Sequence, residues 1–222
     1  GLASNRTQLI SIQQRFQYNP TFESIYAMVP AVPSILLMLI PAILMAVSVV
    51  REKELGSITN FYVTPTTRLE FLLGKQLPYI VIAFLNFAML TAMAVFLFGV
   101  PIKGSLLGLI VCAALYVTAV TGLGLLISSF TSSQVAAVFV TTVVTILPTV
   151  QFSGLMQPVS TLEGGARLMG TLWPTTYYMH ASVGAFTKGL PFGEMSGDML
   201  ALAAFMPVLT LLTAASLKKQ ER

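Results

Sequence analysis

The residues best suited to chemistry in this 222-residue sequence crowd into one stretch, REKELGSITNFYVTPTTRLEFLLGK, from Arg51 to Lys75. The chain has 12 Lys and Arg and 8 Asp and Glu, and Arg51, Glu52, Lys53, Glu54, Arg68, Glu70 and Lys75 all lie there. Mixed charge of this kind suits either a phosphate cradle or the register of a protein contact. The first fails on spacing. A loop of the form G-x-x-x-x-G-K-[ST] needs glycine where Leu69 stands and Ser or Thr where Gln76 follows Gly74-Lys75. The sequence therefore predicts no nucleotide site, no catalytic residue and no enzymatic activity in this chain. His180 is the single histidine, with no ligand set or base–nucleophile pair around it, and reads as an interfacial residue near Tyr177 and Tyr178. Cys112 is the single cysteine, so neither a disulfide framework nor a Cys-based metal site is expected.

The elements that must position the charged stretch follow from composition. Hydrophobic residues make up 55% of the chain and charged residues 9%, and the mean hydropathy is +0.83. A soluble domain of this length needs far more polar surface to cover its core. Uncharged runs extend over 24–50, 76–102 and 104–162. Since a spanning helix needs roughly 20 mainly apolar residues, these runs hold one, one and two spans. The expectation is an all-α integral membrane protein with five transmembrane helices at about 26–50, 79–99, 106–127, 134–150 and 199–217. None of them, so drawn, contains Asp, Glu, Lys or Arg. The short turn SSFTSSQ makes the third and fourth spans an antiparallel hairpin.

Between the fourth and fifth spans, residues 151–198 include RLMGTLWPTTYYMHASVGAFT. Pro174, Trp173 and the Tyr177/Tyr178 pair fit a broken re-entrant or interfacial segment better than a further full span. Lys and Arg set the orientation. Arg51, Lys53, Arg68 and Lys75 in the first loop, and Lys218, Lys219 and Arg222 in the tail 218–222, lie on one side when there are five spans. The positive-inside rule makes that side the cytoplasm, with the C-terminus inside and residues 1–25, Lys103 and 151–198 outside. A proton-coupled carrier is disfavoured, because such carriers place ionisable groups within the membrane.

The loop at 51–78 is more than a flank. Leu55, Ile58, Phe61 and Tyr62 recur at helical spacing while Glu52, Lys53, Thr59 and Asn60 take other faces, which predicts an amphipathic surface helix. The Thr64-Pro65 step interrupts it. A second helix starts at Thr67, where Thr67-Arg68-Leu69-Glu70 forms a capping box ahead of FLLG. A helix resting on lipid headgroups is the plainer reading of the same pattern.

At these residues the sequence resembles the permease subunits of type II ABC exporters, the class that includes drug, lipid and polysaccharide exporters. The signature is VVREKELGSITNFYVTPTTRLEFLLGKQLPY, in which Arg51, Glu52, Glu54, Gly56, Thr64, Pro65, Gly74 and Lys75 hold the family's R-E-x-E-x-G, T-P and G-K positions. The resemblance continues in GLGLLISSFTSSQVAA, FSGLMQPV and the basic tail, and RFQYNP at 15–20 looks like the end of an external domain. Family members usually carry a further N-terminal span and often a sizeable external domain. With no initiator Met or signal-like start in GLASNRTQLI, the chain reads as the C-terminal membrane half of a longer protein. It is also similar to the membrane region of fused proteins known as ribosome-associated ATPases.

The resemblance implies a permease component of an ATP-driven exporter in a bacterial inner membrane, moving a hydrophobic or amphipathic substrate outward. ATP and Mg would be held by a partner or fused ATPase, and a second permease copy or half would complete the assembly. Lipid would surround it, and no nucleic acid is expected. The first loop would be the coupling helix that docks in a groove of the ATPase. Leu55, Ile58 and Phe61 would be its apolar anchors, with Arg51, Glu52, Lys53 and Glu54 as rim charges. Gly56 would either admit the partner backbone closely or break the helix. Two other functions remain open: a membrane anchor for a fused ABC-type ATPase, and a secondary carrier.

For the substrate path the pattern says less. Thr141, Thr145 and Thr149 recur every four residues on one helical face and either line an exit path or bond carbonyls and a neighbouring helix. Phe152, Met156 and Trp173 are candidate apolar plugs of an outer gate. Gly104-x-x-x-Gly108, Gly122 and Gly124 suit close helix packing, and Asn86 suits a bond to a neighbouring helix.

Overall fold

A computed structural model describes residues 24–56, 68–156 and 158–218. Seven helices carry these residues: α1 (Ser24–Glu54), α2 (Arg68–Ala92), α3 (Leu106–Phe130), α4 (Gln134–Phe152), α5 (Gly164–Thr171), α6 (Pro174–Val183) and α7 (Ser196–Lys218). Five stretches are long and apolar enough to cross a membrane: Met28–Glu54, Glu70–Leu97, Leu106–Phe130, Gln134–Phe152 and Phe192–Ser216. The protein is an all-α, multi-pass membrane protein. Its spans run alternately, so the end of α1, the start of α2, the end of α3 and the start of α4 share one face, here called the latch face. The end of α4 and the start of α7 share the opposite, far face.

The helices start where local chemistry allows. Ser105 accepts a hydrogen bond from the Gly108 N–H at 3.1 Å, and Ser133 accepts one from the Ala136 N–H at 3.2 Å. Each side chain satisfies a donor that the first helical turn leaves unpaired. Pro78 removes a backbone donor inside α2 without ending it, a tolerance common in membrane helices.

At the centre lies α3, which buries 61% of its most apolar window, against 17% for α2 and 22% for α4. The latter therefore turn broad apolar faces outward. Because lipid tails are as apolar as leucine, association of these helices depends on close van der Waals fit rather than on exclusion from water. Gly124 supplies that fit. A Cβ at this position would stand 2.5 Å from the Ala42 carbonyl oxygen, so α1 and α3 meet backbone to backbone there. The reading of Gly124 as a helix-packing position holds, while Gly104 and Gly108 are crowded by the segment before α7, with an added Cβ 2.6 Å from the Leu190 carbonyl oxygen and 2.5 Å from Met195 Sδ. Gly122 has ordinary clearance, its nearest Cβ contact being Leu209 at 3.5 Å.

The structure redraws three boundaries. First, α1 does not stop at Val50 but continues through Glu54, because Arg51–Glu54 contain no helix breaker. Gly56, at φ +70°, then turns the chain out of the helix, and its N–H reaches the Lys53 carbonyl at 3.2 Å. The described backbone thus leaves the helix at Gly56, and the remainder of the expected amphipathic helix, 57–62, lies outside the described residues. Second, the helix expected at Thr67 and the span expected at Tyr79 are a single helix, α2. Third, α7 begins at Ser196 rather than Met199 and takes Asp198 into its first turn. The spans therefore do carry charge, at their ends, where long side chains can reach the interface. Ile58, Phe61, Thr64, Pro65, Thr67 and the tail 219–222 lie outside the described residues.

Between α4 and α7 the chain forms two short helices broken at Trp173-Pro174. Neither approaches spanning length, and α6 packs against α1, α3 and α7. Ser182 of α6 donates to the Pro30 carbonyl of α1 at 2.7 Å, fixing it within the bundle.

Candidate functional site

The last turn of α1 reaches each of the three helix ends around it. Glu52 pairs with Lys75 of α2. Lys53 Nζ donates to the Ser128 carbonyl near the end of α3 at 2.6 Å. Glu54 takes the start of α4: the Gln134 backbone N–H donates to Oε1 at 2.9 Å, and the Gln134 side-chain amide donates to Oε2. Carboxylate charge at a helix N-terminus is favourable, since unpaired N–H groups and the helix dipole converge there. Exposed ion pairs contribute only about 0–1 kcal/mol each, so the significance of these ties is geometric. They make the α1 tip a latch to which α2, α3 and α4 are all joined. Arg51 and Leu55 stay exposed beside it, Leu55 at 69%.

Along α2 a groove of about 570 Å³ is lined by Glu70, Phe71, Gly74, Lys75, Pro78, Tyr79 and Ile82. Lys75 lies over the Phe71 ring, 5.6 Å from its centroid, so the lysine that meets Glu52 also borders this groove. Arg51, Glu52, Glu54, Gly74 and Lys75 of the sequence signature thus fall on two adjoining features, the latch and the groove.

Sequence reasoning missed Gln76, which is 5% exposed and donates to the Thr118 carbonyl at 2.8 Å and to Thr121 Oγ1 at 2.9 Å. Among the described residues it is this amide, rather than Asn86, that bonds α2 to α3. The available signal was its position at the opening of an uncharged run. The ties from Lys53 and Glu54 had no such signal, because their partners lie 75 and 80 positions away.

At the far face the threonines form a buried stripe. Thr141, Thr145 and Thr149 are 0%, 0% and 1% exposed. Thr145 donates to the Thr141 carbonyl at 2.7 Å, while Thr141 Oγ1 has no partner among the described residues. Thr149 joins a chain of donors with one consistent direction. Trp173 Nε1–H donates to Thr149 Oγ1 at 2.9 Å; the Thr149 hydroxyl reaches Thr175 Oγ1 at 3.4 Å; Thr175 meets the Tyr116 hydroxyl at 2.9 Å; and Tyr116 donates to the Ser34 carbonyl at 2.8 Å. Tyr116 also stacks on Tyr178, with ring centroids 4.5 Å apart. The chain links α1, α3, α4 and α6, and every hydroxyl in it both donates and accepts. Of the candidate plugs, Trp173 is held in place by Thr149. Phe152 is partly buried at the end of α4, and Met156 is 74% exposed.

Thr149→Val preserves volume but leaves the Trp173 N–H without its acceptor and removes the contact from Thr149 to Thr175, which keeps the Tyr116 hydroxyl. Interhelical hydrogen bonds in membranes contribute about 0.6–1.7 kcal/mol, so a loss in that range is expected in reversible detergent unfolding. Emission from Trp173, the chain's single Trp, should shift as its N–H loses its acceptor. Thr142→Val, which removes only a bond to the Val138 carbonyl, should change little.

The sequence matches the family described as "ABC-2 family transporter protein" over residues 2–215. The chain belongs to the ABC-2 transporter family. Its resemblance to type II ABC permeases, read from the signature at 51–75, is thereby upheld. Among curated relatives, the "Probable multidrug ABC transporter permease YbhS" of Escherichia coli (strain K12) is 32% identical over 181 residues, covering 82% of this chain and 48% of the relative. The "Probable multidrug ABC transporter permease YbhR" of the same organism is 29% identical over 145 residues, covering 65% and 39%. The "Inner membrane transport permease YhhJ", again of that organism, is 24% identical over 202 residues, covering 90% and 54%. The ABC-2 chain spans about half the length of these relatives. Both the latch and the hydroxyl chain lie within the region that matches the family.

Proposed function

We propose that this ABC-2 domain is the permease component of an ATP-driven exporter in a bacterial inner membrane. It moves hydrophobic or amphipathic substrates outward, with ATP hydrolysed by a partner or fused ATPase. The latch carries this reading. In it Gly56, two residues past the end of α1, leads into 57–67 from a helix end tied to three other spans. A push delivered to 57–67 by a closing ATPase would act on α1, α2, α3 and α4 together rather than on one flexible loop. The latch face is then cytoplasmic, which the Lys and Arg distribution of the sequence favours, and the C-terminus lies on the same side.

Several further features support the assignment. The α2 groove beside the latch offers an apolar surface with a charged rim, suited to a protein partner. The printed names of YbhS and YbhR point to multidrug transport, which agrees with an apolar bundle bearing few polar groups. In this reading Trp173 and Phe152 border the outward exit, and a second permease copy or half faces the exposed sides of the spans.

The test is transport by the complete permease reconstituted with its ATPase. Inside-out proteoliposomes should accumulate hydrophobic dyes or labelled lipids only with hydrolysable ATP. Uptake by vesicles holding the permease alone would contradict the proposal and favour a secondary carrier.

A further inference from the structure

His180, which the sequence leaves without a role, has a specific partner. Its Nδ1 lies 2.8 Å from Oδ2 of Asp198, joining α6 to the first turn of α7 at the far face. The two side chains differ in access: that of Asp198 is 11% exposed and that of His180 52% exposed. The imidazole is therefore the accessible member of the pair and the carboxylate the shielded one. The pair borders a cavity of about 580 Å³ that also touches Ser153, Ser160, Thr176 and Lys188. Ser153 directly follows Phe152, so the cavity adjoins the end of α4.

We propose that His180 and Asp198 form a proton-operated clasp between α6 and α7 that tightens the far-face cavity at acidic pH and loosens it at alkaline pH.

The electrostatic surroundings define the sign. From α7 comes Asp198; the π-helical turn after α6 brings Lys188; Tyr177 shares the cavity wall; and α3 places the Cys112 thiol within electrostatic reach of Asp198. Among the described residues, α1, α4 and α5 add no titratable side chain to the cavity lining. The hydrogen bond to Asp198 raises the His180 pKa above the ordinary histidine value of 6.5, against the opposing effects of burial and Lys188. A group whose pKa is raised by its partner contributes its full stabilisation below the ordinary value and loses it as pH rises through the raised one. A charge-assisted bond is roughly twice as strong as a neutral one, so deprotonation weakens the clasp without abolishing it. With the face turned outward, as proposed above, the sensed pH is external. The clasp itself stands on geometry independent of ATP coupling.

Ring-labelled histidine NMR of the complete permease in nanodiscs tests this, the His180 signal being identified by its loss in His180→Gln. The expected midpoint lies above 6.5 and falls in Asp198→Asn. A nitroxide at Ser160→Cys should become more mobile as pH rises through that midpoint, and the change should vanish in His180→Gln. A wild-type midpoint at or below 6.5, or a nitroxide response unaltered by His180→Gln, would overturn the clasp. A wild-type midpoint at or below 6.5 overturns the clasp even if a variant fails to fold.

Discussion

Gly56→Leu in the complete permease should lower substrate-stimulated ATP hydrolysis by about tenfold or more. Gly56 sits at φ +70°, where a side chain other than Gly costs roughly 1–2 kcal/mol, and 1.4 kcal/mol is a factor of ten in population. The strained chain would straighten and re-aim the coupling segment relative to the α1 tip. Gly56→Asn should retain most of the stimulation, since Asn tolerates this conformation, which separates backbone geometry from mere loss of glycine. Glu54→Ala should produce a comparable loss by a different route, freeing the start of α4 from the latch. Gln134→Leu removes the amide on the other side of that tie and should reproduce much of the effect. If the defect arose only from a lost contact with the ATPase, Glu54→Ala would be defective and Gln134→Leu normal.

The second large effect concerns folding. Gly124→Leu should destabilise the bundle by about 1–3 kcal/mol or more, because overpacking cannot be relieved where the obstacle is backbone. The obstacle is the Ala42 carbonyl, 2.5 Å from the added Cβ. Lower yield of monodisperse protein and a lower unfolding midpoint in detergent should follow. Gly122→Ala, whose nearest contact is an ordinary 3.5 Å, is the matched control.

These two glycines illustrate what the sequence discloses. Spans were legible because continuous apolar runs have few other uses, and the broken segment at Trp173-Pro174 was legible because proline and interfacial aromatics interrupt such a run. The end of α1 was not legible, because a run of charge in the sequence marks an exit from the membrane as readily as a helix that continues past it. The helix in fact continues until Gly56, and its charges find partners on α2, α3 and α4. Sequence spacing carries no information about contacts of that range. The threonine stripe was legible as a helical face, but whether it turned toward a path or toward its own chain depended on Trp173 and Thr175 from another helix. His180 had no local partner in the sequence. Asp198 became one only when α7 began a turn earlier than hydropathy suggested.

The most direct measurement is the number of substrate molecules transported per ATP hydrolysed by proteoliposomes of the complete permease and its ATPase, compared between the wild type and Glu54→Ala. The account predicts that the variant retains basal hydrolysis while transport per ATP falls about tenfold, because the ATPase still turns over but the latch no longer carries its motion to α4. An unchanged ratio in a folded variant would contradict the assignment of the α1 tip as the coupling point.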